Sequence, residues 1–336
     1  MKKLVLAVLA IGAMAACTKS NVQYEQPGEI SLQPVTQKAT KAAVDGTYYP
    51  TGTAYNFNVW AWWADKNAGT ALDEFTSTTD YIAEGTFTAR NNVSWGGVTP
   101  YYWPTKGSLV FAGYSPASAV GTFNYSLETK AFTVTNYVQS SNIAETKDLM
   151  WFDVTDVSHN QNGTSGVPVT FKHALSWLTF DFVLNSDITT HKWEITEVEL
   201  QPVSTKASFF ATKSDANVGT WSSFAGDKSS MRVYKKPTGS SEVLYLSTTA
   251  KRYEDAENGV VVIPQSCVNL LVKYNLTAST GKVISQEVEL ALNAGADGNS
   301  WLPGKHYVYS IVFGANEILV SPQIADWVDV PGGVTE

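Results

Sequence analysis

Residues 167–184 hold two strands and the break between them. Val167, Val169 and Phe171 alternate with polar or turn-forming neighbours. The pattern slips across Lys172-His173-Ala174-Leu175 and resumes as Leu178, Phe180, Phe182 and Leu184. A period of two puts alternate side chains on opposite faces of a pleated strand, whereas a helix needs a period near 3.6. The slip between the two runs predicts a β-bulge or a bend that carries the chain from one sheet to another.

The same pattern recurs along the chain. Residues 55–60, 109–114 and 132–138 read as short strands bounded by Gly, Pro, Asn and Ser. In the second half Thr196, Val198 and Leu200 alternate, as do Leu270, Val272, Tyr274 and Leu276, and then Val288, Leu290 and Leu292. Residues 307–313 are apolar on both faces, as a central strand requires. No long segment keeps a helical apolar period. Many short β-rich runs at regular spacing predict an all-β sandwich. The abundance of aromatics and the sparse charge, 12% and 16% of residues, agree with this. The length exceeds one sandwich and suits two. Asn185-Ser186-Asp187 is the turn chosen for the boundary, giving an N-terminal domain over 45–187 and a C-terminal one over 188–336.

The N-terminus sets the compartment. Lys2 and Lys3 precede an unbroken apolar run over residues 4–14, followed by Ala15-Ala16-Cys17. A basic start, an apolar centre and small residues at the cut describe a secretory signal over 1–16. The run is shorter than the ~20 residues of a spanning helix. Small residues followed by Cys also describe a bacterial lipobox, so Cys17 is expected to be acylated and to anchor the chain in the outer membrane. Cys267 is then the remaining cysteine, which excludes an intramolecular disulfide, and its apolar run marks it as a small buried hydrophobe. Residues 17–44 read as a polar tether. Within it residues 29–33 form one candidate strand, where Ile30 and Leu32 alternate with polar neighbours.

Catalytic and cofactor chemistry is not expected. His159, His173, His191 and His306 stand apart, with no metal-ligand spacing, and no phosphate loop or nucleophile elbow is present. Asp153 and Asp156 are an acid pair without a partner base. His173 sits at the phase slip and reads as a satisfied histidine at a bend. A net charge of −8 with no basic tract argues against nucleic acid. The aromatics support one alternative. Trp60, Trp62 and Trp63 cluster, and Trp95, Tyr101, Tyr102 and Trp103 follow, which in an exposed setting would make a sugar-stacking platform on a monomeric surface lipoprotein. Trp60 and Trp62 share one strand face and Trp63 takes the other.

Several segments together resemble the fimbrillin-like proteins, the type V pilins of Bacteroidia-type bacteria. These are Lys147-Asp148-Leu149-Met150-Trp151, Phe171-Lys172-His173-Ala174, Val262-Ile263-Pro264-Gln265, Leu302-Pro303-Gly304-Lys305-His306-Tyr307 and Ile324-Ala325-Asp326-Trp327. The resemblance implies two tandem transthyretin-like β-sandwich domains behind a lipidated tether. It also implies a pilus subunit or adhesin whose partners are other pilin subunits and a host or bacterial surface ligand. A protease removes the tether with its first strand, and a neighbour's strand fills the groove. Carried onto this chain, the removable strand is residues 29–35, with Ile30 and Leu32 as its groove-filling side chains. The donor comes from residues 318–330, with Ile318, Val320, Ile324, Trp327 and Val328 as plugs. The family's processing site is usually Arg, whereas the first Arg here is Arg90. The matching stretch, Gln37-Lys38-Ala39-Thr40-Lys41-Ala42-Ala43, puts the cut at Lys41 or Lys38. Without a cut, a pilus anchor or a monomeric lipoprotein is implied.

Overall fold

The computed structural model describes residues 28–36, 49–64, 79–157, 166–185, 191–212, 219–226, 228–239, 245–253, 259–314 and 317–327. Within them the chain is built from strands. The first half supplies β1 (Ser31–Thr36), β2 (Phe57–Ala64), β3 (Thr79–Ala89), β4 (Trp95–Gly97), β5 (Ser108–Ser115), β6 (Val120–Ser126), β7 (Ala131–Val138), β8 (Met150–Val157) and β9 (Val167–His173). The second half adds β10 (Ser176–Leu184), β11 (His191–Val203), β12 (Lys206–Thr212), β13 (Thr220–Ser222) and β14 (Ser229–Lys235). It ends with β15 (Lys251–Arg252), β16 (Val260–Val262), β17 (Asn269–Ala278), β18 (Val283–Ala291), β19 (Lys305–Phe313) and β20 (Ile318–Asp326). No described helix is long and apolar enough to cross a membrane.

The fold is all-β, as the alternation requires, and it is organised in sheets that pack face to face. The N-terminal strands close into a barrel in the order β1-β4-β3-β2-β5-β8-β9. Its interior is filled by Ile30, Leu32, Phe57, Phe87, Trp95, Phe111, Phe152 and Phe171, all 1% exposed or less. A four-stranded sheet, β13-β12-β7-β6, lies against the outside of β5 and β8, and the layer between them contains Tyr114, Phe132, Trp151, Phe209 and Trp221. The C-terminal unit is a sandwich. One sheet runs β15-β10-β19-β20 with β16 also paired to β10, and the other runs β14-β11-β17-β18. Leu178, Phe180, Phe182, Val198, Leu200, Val272, Tyr309 and Ile311 fill the space between them.

The phase slip is the sheet crossing. β9 closes the barrel beside β1 and β8, whereas β10 pairs in parallel with β19 from Trp177↔His306 to Leu184↔Phe313. The domain boundary expected after Asp187 therefore does not coincide with the strand pairing, because the chain leaves the barrel between His173 and Ser176. The boundary is also crossed in the other direction. β12, from the second half, pairs with β7 of the first. The inter-sheet layer is thus shared, and Trp177, Val261, Ile263 and Trp327 enter it from the C-terminal unit. In β16 the alternation serves two cores at once. Val260 and Val262 point into the C-terminal sandwich, while Val261 points into the shared layer.

Candidate functional site

The first strand of the chain is built into the barrel rather than laid on it. β1 runs parallel to β9 from Leu32↔Val167 to Thr36↔Phe171 and antiparallel to β4 at Ser31↔Gly96 and Leu32↔Trp95. Its alternation seats Ile30 and Leu32, both 0% exposed, in the barrel core. Full burial of two such side chains contributes about 3–6 kcal/mol. Pairing with β4 ends at Leu32, so Pro34 sits where only β9 is a neighbour, and a missing N–H is tolerated at such an edge. Gly166 precedes β9 with φ +81°, and a Cβ there would meet Ser31 Oγ at 2.8 Å. Glycine at that position lets β1 approach.

Further bonds hold the strand's leading end. The Ile30 N–H donates to the Tyr101 carbonyl at 2.8 Å, and the Trp103 N–H donates to the Gly28 carbonyl at 3.1 Å. Arg90 Nη2 donates to Glu29 Oε1 at 3.1 Å and to the Gly97 carbonyl at 2.6 Å. The chain re-enters the core at Tyr49. Its ring stacks on Phe171 at 5.0 Å and meets Phe57 and Trp95 edge-on. Its hydroxyl is hydrogen-bonded to Ser115, and burial pushes the phenol pKa well above its ordinary value. Between these two anchored pieces lie residues 37–48, which include the expected processing residues Lys38 and Lys41. Those two, and Cys17, lie outside the described residues.

The expected donor strand is docked on its own domain. β20 is the edge strand of its sheet and pairs antiparallel with β19 from Phe313↔Ile318 to Lys305↔Asp326. Ile318, Val320 and Ile324 are half-buried against the C-terminal core, and Leu319, on the opposite face, is 51% exposed. Pro322 lies within this strand, as suits an edge. Val328 lies outside the described residues. Trp327 is 1% exposed and enters the shared layer, where its indole stacks on the His173 imidazole at 4.2 Å and 6° between planes. His173 Nδ1 pairs with Asp148 Oδ2 at 2.5 Å, with both side chains buried. A second stack, Trp177 on His306 at 3.5 Å, lies beside it. Burial lowers the His306 pKa to about 4, Arg252 pushing the same way and Asp181 opposing.

The remaining candidates resolve into packing. Trp60 and Trp62 lie on the outer barrel face, over Tyr114 and Tyr125, whereas Trp63 packs on the barrel core and donates to the Lys106 carbonyl at 2.8 Å. Trp95 and Trp103 are buried, and Tyr101 stacks on Phe87. Tyr102, at 50% exposure, is the member of the expected sugar platform that faces solvent. Asp153 accepts from Tyr125 Oη at 3.0 Å and pairs with Lys172 at 3.9 Å. The Asp156 side chain lies outside the described residues. Cys267 is half-buried, its thiol pKa pushed up to about 11 by burial, which leaves it poorly reactive. Among the described residues no group of three or more His, Cys, Asp or Glu could hold a metal ion.

The model of the fimbrillin-like family matches residues 40–327. The chain belongs to the fimbrillin-like family. Membership makes it a pilus or adhesion subunit of the cell surface, a structural role. Among solved structures, a fimbrial protein from Bacteroides vulgatus matches with a TM-score of 0.62 at 16% identity, over 89% of this chain and 99% of that one. A Bacteroides ovatus protein named for cell adhesion matches at 0.53 and 14%, over 90% and 99%. The tip fimbrial protein of Porphyromonas gingivalis, C-terminally truncated, gives 0.36 and 12%, over 89% and 98%. At these identities the first two matches speak to the shared fold. No curated protein sequence matches.

Proposed function

We propose that this chain is a pilus subunit that polymerises by exchange of strands. It is exported as a lipoprotein acylated on Cys17, and a protease cuts at Lys41 or Lys38. β1 is then lost, and β20 of a neighbouring subunit takes its place beside β9. The observation that carries this reading is the seat of β1. It is a full strand of a closed barrel, paired on both edges, yet the chain connects it to the rest only through residues 37–48. Loss of β1 would open a row of unpaired backbone groups beside an apolar groove, and an incoming strand satisfies both. The period of β20 supports the match. Val320, Pro322 and Ile324 repeat the period of two with which Ile30 and Leu32 fill the barrel. Head-to-tail joining of this kind does not close on itself and so builds a filament.

The test is to shear surface material from the native cells, run it boiled and unboiled on a denaturing gel, and sequence the N-terminus. A ladder that collapses on boiling, with a new N-terminus at Ala39 or Ala42, is expected. A single band at the mature mass, still blocked by lipid at Cys17, refutes polymerisation and leaves an anchor or a monomeric lipoprotein.

A further inference from the structure

Two places in this chain carry the same six-residue pattern. One is Glu29-Ile30-Ser31-Leu32-Gln33-Pro34, which enters β1, and the other is Glu317-Ile318-Leu319-Val320-Ser321-Pro322, which enters β20. Both read Glu-Ile-x-(Leu or Val)-x-Pro, and the pattern occurs nowhere else in the sequence. Of the 13 prolines, Pro34 and Pro322 alone have Ile four residues before them. The shared residues also share a face. Ile30, Leu32 and Pro34 are buried and Glu29 is exposed, while Ile318, Val320 and Pro322 are half-buried and Glu317, Leu319 and Ser321 are exposed.

The barrel has a receptor for each shared position. Ile30 and Leu32 fill its core, and Pro34 lies past the end of the β4 pairing, where a missing N–H is tolerated. Glu29 Oε1 accepts from Arg90 Nη2 at 3.1 Å. The same Nη2 donates to the Gly97 carbonyl at 2.6 Å, which holds the guanidinium on the barrel independently of β1. The position that differs most in size is permissive. Ser31 lies opposite Gly96 on β4 and against Gly166 before β9, and neither neighbour has a Cβ to crowd a larger residue.

Given the strand exchange proposed above, on which this rests, we propose that the donor to the groove is a second copy of this same chain, in the register the shared pattern sets. Ile318 takes the seat of Ile30, Val320 that of Leu32 and Pro322 that of Pro34, with Glu317 on Arg90. The pattern has the same N-to-C order in both strands, so the incoming strand lies parallel to β9 as β1 does. Val320 is one methylene smaller than Leu32, and Leu319 passes over the two glycines. Other registers fit worse. A slip of one residue turns the apolar face out of the core. A slip of two sets Leu319 against the Arg90 guanidinium and puts Pro322 in the place of Leu32, where β4 and β9 both lie alongside.

The test uses the full chain, processed and sheared from native cells. Val35 on β1 and the exposed Thr170 on β9 are Cα partners, and the register brings Gln323 to the place of Val35. Thr170→Cys with Gln323→Cys, treated with a short bismaleimide, should join copies of this chain into a ladder that survives boiling. Thr170→Cys with Val35→Cys, which should crosslink within the uncut chain, is the control for reactivity. Arg90→Glu and Glu317→Arg should each reduce the ladder about fivefold, and the two together should restore it, a rescue that a purely structural role for either residue would not give. A ladder fixed instead through Ser321→Cys or Ala325→Cys, or fixed to a different subunit, overturns the register or the partner. A ladder that persists without the 170–323 crosslink overturns this proposal and leaves strand exchange standing, whereas no ladder from the parent chain overturns both.

Discussion

Leu32→Ala tests whether β1 is an integral stave of the barrel. Leu32 is fully buried, opposite Trp95 on β4 and Val167 on β9. The substitution deletes three carbons, which at ~0.8 kcal/mol each loses about 2.4 kcal/mol of transfer free energy. A closed barrel cannot collapse onto the gap, so part of the cavity persists and the total rises to about 3 kcal/mol. With a urea m-value of about 3 kcal/mol/M, the barrel's unfolding midpoint should fall by about 1 M. Leu319→Ala, at a position 51% exposed on β20, is the matched control, and its stability should stay within about 0.5 kcal/mol of the parent. The same variant has a second readout. Once the 37–48 segment is cut, β1 is held without a covalent link, and ~3 kcal/mol corresponds to about 150-fold weaker retention. Gel filtration of cut protein should then release the Leu32→Ala strand while keeping the parent strand. A midpoint shift no larger than that of Leu319→Ala, or equal retention after cutting, would refute the reasoning.

Other perturbations are as direct. His306 has a folded pKa of about 4 against an ordinary 6.5, so below pH 6.5 the unfolded chain binds a proton that the folded chain resists. Its stabilisation is complete above pH 6.5 and is lost as pH falls to about 4, by about 3 kcal/mol. His306→Gln should flatten that part of a urea-midpoint-versus-pH curve. Trp327→Ala removes the stack on buried His173 and should cost about 3–5 kcal/mol, measured by chemical unfolding, with Trp327→Phe recovering a large part. Glu197, whose carboxyl is held below its usual range first by the hydrogen bond from Lys273, is paired with Lys235 and Lys273, whose side chains are exposed. Glu197→Gln should cost under about 1 kcal/mol, and less still in high salt.

What the sequence made legible is what period two encodes. The phase slip at residues 172–175 is a sheet crossing, Trp60 and Trp62 oppose Trp63, and Ile30 and Leu32 face inward, all readable from which side chains alternate. What each strand pairs with was not readable. Nothing local in β10 says that Phe180 will lie beside Tyr309, or in β12 that Phe210 will lie beside Thr133, because those pairings join distant segments through backbone groups that every residue carries. The boundary placed after Asp187 followed a turn signal, whereas the pairing follows the crossing. Asp148 went unread for the same reason. Its meaning lies in His173, which is 25 residues away and reaches it only when β9 closes the barrel.

The two strands of the proposed exchange are not equivalent, and the difference says what would drive assembly. β20 on its own domain is an edge strand, bonded to β19 alone, and three of its apolar side chains are only half-buried. In the seat of β1 it would lie between β9 and β4 with alternate side chains in a closed core, gaining a second bonded edge near β4 and deeper burial. Each added backbone hydrogen bond contributes a net ~0.5–1.5 kcal/mol. Leaving its own sheet uncovers β19, a strand of Tyr307, Tyr309, Ile311 and Phe313, and draws Trp327 off His173. While β1 occupies its place no such seat is open, so an intact subunit keeps its own strand. Removal of β1 changes that balance. It leaves β9 an open edge beside an apolar groove, which a strand from another subunit can close. On this reading the cut supplies the direction of assembly, and the incoming strand need only fit.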